Sequence, residues 1–346
     1  MLGSDEMKLE RRHGFSNDVI FLDGLWGTGK SILNPILSGM AHVEKTKIES
    51  IYEYISWLFS LKKIEKEAAL WLLRSYADCS QYHNLIGREV NLRWADDTGL
   101  GNAPDKLLYL LRLFGGEGDS KASEINDKNI AFSVMSHMLM LAPELLVPAF
   151  GKRVKVIEMV RHPLYLVSHF ASYLERFECE REFTLSYYYE DVKVPWFVDG
   201  WEAEYVGASS IEKAVLCIVH LYPWLENKMS TARSFGLSLL DLSFEEVVFE
   251  TTEATSRIEN FLDRSHHPKV ASILSKQMLP RQTVSQGRGH VSYGWKQTNK
   301  PERQVYEEQL RLVRSACSLR LQSEFYQLIH WYDRRYPSVL ADYAVE

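Results

Sequence analysis

The 346-residue sequence has few cysteines, no long apolar run and no excess of positive charge. Its four cysteines are widely spaced and form no CxxC pair, which argues against a zinc site or a disulfide framework and favours reduced thiols. Nowhere do about 18 apolar residues follow one another, so we expect no integral membrane segment. The formal charge of -6 disfavours nucleic acid as a partner, because phosphate backbones attract proteins with a basic excess.

The beginning of the sequence is charged and polar, with no apolar core followed by a cleavage site, so we expect a cytoplasmic protein. A hydrophobic fraction of 46% and a charged fraction of 25% are typical of a globular chain. The length fits two domains or one large α/β domain with an insertion. We predict a single domain over residues 1–346, with a mostly helical insert at residues 45–128 that contributes to acceptor binding.

Apolar patterns of two kinds alternate along the chain. Runs with the length of buried strands occur at residues 17–23, 129–137, 152–160 and 237–244. Helical spacing occurs at residues 45–77, 105–114, 164–177 and from the last strand to residue 262. This alternation predicts an α/β fold with a central, mainly parallel sheet flanked by helices.

Two local features qualify this pattern. Pro35 stands where the first helix is expected, and a proline beyond the first turn predicts a kink or a late helix start. The aromatic stretch at residues 195–201 is predicted to be a surface loop packed on its own side chains. Its Trp196 and Trp201 are alternative candidates for a platform under a sugar ring.

A glycine-rich turn joins the first predicted strand to the first helix. Its pattern, Gly24-x-x-x-x-Gly29-Lys30-Ser31, is that of a phosphate-binding loop. Glycines let backbone N–H groups converge on phosphate oxygens, while the helix N-terminus and the lysine add positive charge. The predicted phosphate-binding residues are Gly24, Trp26, Gly27, Thr28, Gly29, Lys30 and Ser31.

A second polar segment, residues 161–168, follows the third predicted strand. Arg161 offers a planar fork for phosphate, and Ser168 offers a hydroxyl from the following helix. Beside a glycine loop, these two side chains predict a second phosphate contact.

With these segments in place, the sequence resembles the sulfotransferases that use 3'-phosphoadenosine 5'-phosphosulfate (PAPS). The family has a phosphosulfate loop after the first strand and an Arg-x-Pro…Ser segment for the 3'-phosphate. A later strand borders the adenine and is similar to residues 240–246, which include Phe244. A C-terminal loop leads to Gly-x-Trp-Lys and is similar to residues 288–296, which begin with Arg288 and Gly289. The resemblance implies PAPS as donor, adenosine 3',5'-bisphosphate as product, and no metal in the site.

The same resemblance implies in-line transfer with a general base, for which there are two candidates. His137 lies in a Ser-His…Pro segment similar to that of the cytosolic branch, and its flanking residues favour it. Glu49 matches the glutamate that carbohydrate sulfotransferases place soon after the loop helix. Lys30 would stabilise charge on the leaving oxygen.

The acceptor implied is a hydroxyl or an amine of a small molecule or carbohydrate, and the sequence does not indicate the oligomeric state. Lys30 stands where kinases carry their loop lysine, so a Mg-dependent P-loop kinase or NTPase is the alternative, with Asp241 as its acid. A nucleotide-binding module without chemistry is a third hypothesis.

Overall fold

The computed structural model describes residues 8–93, 96, 98–103, 105–180, 182–287 and 300–343. Its strands are β1 (Val19–Gly24), β2 (Lys47–Ile48), β3 (Phe132–Met135), β4 (Val154–Val160), β5 (Ser186–Tyr189), β6 (Val192–Pro195) and β7 (Ser238–Ser243). Its helices are α1 (Lys30–Leu37), α2 (Ile51–Ser60), α3 (Lys66–Leu85), α4 (Lys106–Arg112), α5 (Asp119–Asp127), α6 (Leu146–Phe150), α7 (Pro163–Leu174), α8 (Glu202–Gly207), α9 (Ser210–Ser234), α10 (Phe244–Phe249), α11 (Thr251–Leu262), α12 (Val270–Lys276), α13 (Glu302–Ala316) and α14 (Leu319–Arg335).

Five strands form the central sheet in the order β2-β3-β1-β4-β7, and each neighbouring pair is parallel. The predicted α/β fold with a parallel sheet flanked by helices is therefore confirmed. Every residue of β1 is buried, as expected for an apolar strand covered by helices on both faces. Because parallel strands end at one edge, the segments after β1, β3, β4 and β7 meet there. These are the segments that carry the glycine loop, His137, Arg161 and Phe244.

Several local predictions are wrong. The helical pattern expected from residue 45 begins only at α2, because Lys47 and Ile48 add the short edge strand β2 to the sheet. The late start expected for the first helix is also wrong, since α1 begins at Lys30 and contains Pro35 near its end. The antiparallel hairpin of β5 and β6 and the helix α5 had no prediction.

The aromatic stretch at residues 195–201 is not the predicted surface loop. Its first part is a 3-10 helix, Trp196–Val198, whose three side chains are buried. The ring of Trp196 stacks on Trp57 of α2 with a centroid separation of 4.3 Å. Trp201 stacks on His220 of α9, also at 4.3 Å. The apolar rings find partners on neighbouring helices, so Trp196 belongs to the core and cannot serve as a sugar platform.

The chain between β2 and β3 consists of α2 to α5 and their connections. Its assignment as an insert of a single domain stays a prediction. All four cysteines are unpaired, which agrees with the reduced thiols expected. Within the described ranges, no helix combines the length and the apolar character needed to cross a bilayer.

Candidate active site

The glycine loop connects β1 to α1 through three residues with positive φ. Gly24, Gly27 and Gly29 have φ of 151°, 82° and 93°, a range that other residues adopt only with strain. A Cβ at Gly29 would lie 2.2 Å from a ring carbon of Phe244, and one at Gly27 would lie 2.7 Å from the Cβ of His169. The loop therefore needs glycine both for its backbone angles and for the close approach of neighbouring side chains.

The other loop side chains hold this turn in place. Thr28 is buried, and its Oγ1 donates to the carbonyl of Leu25 at 2.9 Å. The indole of Trp26 packs among aromatic rings of the core, with Tyr173 at a centroid distance of 5.3 Å. Ser31 is half-buried in the first turn of α1. Because the indole of Trp26 is held in the core, its backbone is the part that can serve a ligand.

Lys30 is folded back beneath the loop. Its Nζ donates to the carbonyl oxygens of Gly24 at 2.5 Å and Leu25 at 2.9 Å, and the side chain is buried. Burial lowers the pKa of Lys30, because a charged ammonium is poorly solvated there. Nearby carboxyl groups oppose that shift. The loop lysine thus already stabilises its own turn through two charge-assisted hydrogen bonds.

Three buried acidic residues surround Lys30, and sequence reasoning missed all of them: Asp23, Glu53 and Glu158. Asp23 accepts hydrogen bonds from Ser136 Oγ at 2.9 Å and from the backbone N–H of Met140 at 2.7 Å. Burial, together with Asp23, raises the pKa values of Glu53 and Glu158 well above their ordinary range. Both glutamates therefore favour the neutral form. An acid inside the apolar run of β4 was the signal that could have found Glu158, since burying an unpaired carboxylate is costly.

Arg161 meets the glycine loop from the end of β4. Its Nη1 donates to the carbonyl of Gly27 at 2.9 Å, and its guanidinium carbon lies 4.2 Å from the ring centroid of Phe244. Its Nε is buried and has no hydrogen-bond partner within the described ranges. Ser168, by contrast, is exposed and donates to Gln309 of α13 at 2.8 Å. The structure thus brings Arg161 to the loop and directs Ser168 toward another helix.

Phe244 forms the far side of this site. It is buried at the junction of β7 and α10, in contact distance of Gly29. Arg281, which sequence reasoning did not single out, has its guanidinium carbon 5.7 Å from the same ring. The other predicted residues of this region, Arg288 and Gly289, lie outside the described residues.

His137 lies two residues beyond β3, with 32% of its side chain exposed. Its backbone N–H donates to Glu53 at 2.9 Å, and its Nδ1 is 3.6 Å from the other oxygen of that carboxyl group. Burial and the nearby charge of Lys30 lower the pKa of His137 to about 3. The imidazole is therefore neutral near pH 7 and carries a lone pair that can accept a proton.

Glu49 is already engaged by other side chains. It pairs with Lys47 and accepts a hydrogen bond from Ser80 of α3 at 2.8 Å. A proton acceptor in this position would first have to exchange these partners. The two candidate bases thus differ, since His137 lies next to the loop lysine and Glu49 lies in an ion pair beside β2.

Comparisons with known proteins give relatives by structure only. No protein-family model matches the chain, and no curated protein matches it. The fold is similar to the sulfotransferase domain of the Synechococcus PCC 7002 olefin synthase, at 13% identity and a TM-score of 0.43, covering 94% of this chain and 98% of that one. It is also similar to the sulfotransferase domain from the curacin biosynthetic pathway, at 13% identity and a TM-score of 0.42, over 94% and 99%.

A third similar structure is the sulfotransferase STF1 of Mycobacterium tuberculosis H37Rv. Its identity is 12% and its TM-score 0.37, and the match covers 75% of this chain and 71% of that one. All three of these structures are sulfotransferases. Identities this low transfer no residue role, so the chemistry must come from the side chains themselves.

Proposed function

We propose that the protein transfers a sulfuryl group from PAPS to a hydroxyl or amine of a small acceptor. The observation that carries this proposal is the contact between Arg161 and the glycine loop. A donor phosphorylated at both the 3' and 5' positions needs two cationic regions, and here Lys30 at the start of α1 and Arg161 directly after β4 border one loop.

The residues present fit such a donor. The positive-φ glycines give the loop the sharp backbone turn of a phosphate-binding loop, and the buried Nε of Arg161 has no acceptor among the described residues. The loop and Lys30 would hold the 5'-phosphosulfate, and Arg161 with Ser168 would hold the 3'-phosphate. Phe244 would border the adenine. The bound donor supplies an activated sulfuryl group whose leaving oxygen carries phosphate charge, which Lys30 would stabilise.

His137 is the better base. Its imidazole is neutral, whereas Glu49 is engaged by Lys47 and Ser80. A pKa of about 3 makes a weak base, but an anionic donor beside Lys30 would offset the ammonium charge and raise that value. His137 would then take the proton from the acceptor as its oxygen or nitrogen attacks sulfur.

The alternative remains a Mg-dependent kinase or NTPase. Its proposed acid, Asp241, lies within hydrogen-bond reach of Arg233, Arg335 and Tyr336, at 2.5, 2.8 and 2.9 Å. A carboxylate with three such partners is poorly suited to hold Mg²⁺, because each partner competes for its oxygens. The position of Asp241 therefore favours the sulfotransferase proposal.

The test compares ligands that differ in one phosphate. Thermal unfolding is measured with adenosine 3',5'-bisphosphate, adenosine 5'-monophosphate, and ATP with and without Mg²⁺. Ligand at 100 times its dissociation constant should add about 2.7 kcal/mol to the free energy of unfolding. We expect the bisphosphate to bind without metal and about 10- to 150-fold more tightly than the monophosphate. This is the gain in affinity that one charge-assisted hydrogen bond to the 3'-phosphate would contribute.

The variant Arg161→Ala should abolish the preference for the bisphosphate while leaving monophosphate binding in place. Arg303→Ala, an exposed arginine paired with Glu307, is the matched control and should behave as wild type. Stabilisation by Mg²⁺–ATP alone would refute the proposal and favour the kinase.

A further inference from the structure

A polar cavity of about 140 Å³ lies beside strand β2, outside the glycine-loop site. Its lining includes Lys45, Lys47, Asn84, Thr98 and Tyr109. These residues come from β2 and the segment before it, from α3, from α4 and from the connection between the two helices. The cavity is therefore built by the helical segment and the edge of the sheet together.

Lys45 is the unusual member of this lining. Its side chain is 9% exposed, and its ammonium makes no hydrogen bond or ion pair to any residue that the structure describes. Burial lowers the pKa of Lys45 to about 8. The nearby carboxylates of Asp96 and Glu44 partly oppose this shift, but Glu44 makes no hydrogen bond to the Lys45 ammonium and instead binds Tyr109 OH at 2.5 Å and Arg112 Nη1 at 2.9 Å.

Asn84 supplies a second unused donor. It is 4% exposed, and its Nδ2 is buried with no hydrogen-bond partner in the described part of the chain. The other polar groups of the lining are already occupied. Thr98 Oγ1 donates to Asp96 at 2.8 Å, and Lys47 pairs with Glu89. The unmet demand of the cavity is thus for acceptor oxygen atoms, opposite one ammonium and one amide.

We propose that this cavity binds a small organic molecule through its carboxylate, a group with a single negative charge. A carboxylate fits because it offers two acceptor oxygens, and an ammonium and an amide are both donors. Lys45, which has no ion-pair partner in the described ranges, can balance one negative charge, and the nearby carboxylates of Glu89 and Asp96 disfavour a doubly charged phosphate. The volume equals about five water molecules, enough for a carboxylate and a few carbon atoms.

The cavity is separate from the site of the proposed function, both across the sheet and along its strands. The backbone N–H of Glu49, directly after β2, donates to the carbonyl of Met135 at 3.4 Å, and His137 follows two residues later. Strand β2 is separated from β1 by β3 alone, which is about 10 Å across the sheet. Lys45 precedes β2 and lies level with the start of β3, whereas the loop and His137 follow the carboxyl ends of their strands, so the cavity is a site apart from the glycine loop.

The test uses acetate and glucuronate as carboxylate probes and glucose as the uncharged control. Their binding to the full chain is measured by NMR on protein with ¹³C-labelled lysine side chains, without nucleotide. We expect glucuronate to shift the Lys45 signal and to bind at least tenfold more tightly than glucose. Lys45→Met and Asn84→Ala should each weaken glucuronate binding about tenfold or more, the value of about 1.4 kcal/mol.

Two control variants test whether glucuronate binds in the cavity and not elsewhere on the protein. Lys63→Met changes an exposed lysine that does not line the cavity, and Arg161→Ala changes the loop site; both should bind glucuronate as wild type does. Thermal unfolding checks that each variant folds, and Asn84→Ala replaces Lys45→Met should the latter fail to fold. Failure of both carboxylates to bind, or equal binding by wild type and both cavity variants, would overturn the proposal. Glucuronate binding that depends on Lys45 in a protein that does not bind the bisphosphate would instead refute only the sulfotransferase function.

Discussion

The glycine loop and the cavity beside β2 use buried charge in opposite ways. Lys30 of the loop donates to two carbonyl oxygens, and nearby acidic residues oppose the lowering of its pKa, so part of the cost of burying its charge is offset before any ligand arrives. Lys45 of the cavity is almost as buried but has no such partners among the described residues. A ligand at the loop must therefore compete with the existing hydrogen bonds of Lys30. A ligand in the cavity would instead give the ammonium of Lys45 a hydrogen-bond acceptor.

The two regions also differ in what they demand of the chain. The loop depends on backbone shape, since its three positive-φ glycines hold a conformation that other residues adopt only with strain. The cavity carries the desolvation cost of one ammonium. Substitutions should therefore act on the loop through shape and on the cavity through charge.

The largest effect is expected from Gly29→Ala. Its Cβ would fall 2.2 Å from Phe244 at a φ of 93°, so the loop and Phe244 must both move. We expect the free energy of unfolding to fall by about 1–3 kcal/mol and the affinity for adenosine 3',5'-bisphosphate to fall about 100-fold or more. Denaturant unfolding and calorimetric titration measure the two quantities. Gly116→Ala is the control, because a Cβ at that position would meet no atom within 4 Å; wild-type affinity in Gly29→Ala would show that the loop does not hold phosphate.

Lys45→Met should stabilise the protein. Removing a buried ammonium that has no ion-pair partner among the described residues should raise the free energy of unfolding by about 1–3 kcal/mol at pH 7. Because the pKa of Lys45 is about 8 when folded and 10.5 ordinarily, the folded wild type loses its proton first as the pH rises. The variant's advantage in the free energy of unfolding should therefore be greatest below pH 8 and should decrease as the pH rises from 8 to 10.5. Denaturant unfolding at pH 7 and pH 10 checks this, and a destabilised variant would show that the Lys45 ammonium is as well stabilised as that of Lys30.

A smaller, pH-dependent effect is expected from His137→Gln. The pKa of His137 is about 3 in the folded protein and 6.5 ordinarily, so between these values the unfolded chain binds the extra proton. Wild type should therefore lose stability relative to the variant as the pH falls from 6.5 toward 3. The neighbouring Glu53 has a raised pKa and acts in the opposite direction, but it is present in both proteins. Unfolding midpoints of both proteins are measured between pH 4 and pH 7. If the two midpoints change in parallel with pH, the conclusion that the imidazole of His137 is neutral in the folded protein is refuted.

Ser168→Ala should have the smallest effect. The hydroxyl is exposed and donates to Gln309, so the free energy of unfolding should change by less than about 0.5 kcal/mol. Bisphosphate affinity should fall only a few-fold, because the hydroxyl would have to leave Gln309 to reach a 3'-phosphate. Titration of Ser168→Ala and Arg161→Ala with the bisphosphate ranks their losses of affinity. A larger loss in Ser168→Ala would mean that Arg161 is not the main contact of the 3'-phosphate.

The sequence predicted the sheet better than it predicted the site. Continuous apolar runs identified β1 and β4 because buried parallel strands need no polar face. The edge strand β2 was not predicted, because a strand of two residues is too short to show an apolar periodicity in the sequence. The loop pattern has a fixed spacing, so the sequence could place Lys30 directly after the glycine turn, and its role in a site stays a prediction. Glu53, however, became visible only when α2 was placed against His137, a contact between residues far apart in sequence.

The aromatic prediction failed for a related reason. Composition shows that a tryptophan will bury its ring, but not which partner will cover it. Trp196 is covered by Trp57, which lies well over one hundred positions earlier in the chain, and no local pattern links the two. Such long-range pairs decide whether a ring faces a ligand or the core.

The brevity of β2 also affects how the molecule meets its own copies. An edge strand with many unpaired backbone groups is a template for intermolecular pairing and aggregation. Here that edge of the sheet is only two residues long, and one of them is the charged Lys47. A second chain adding itself at this edge would gain very few backbone hydrogen bonds. The short strand thus protects the sheet from growing into a fibre on the side where the cavity opens.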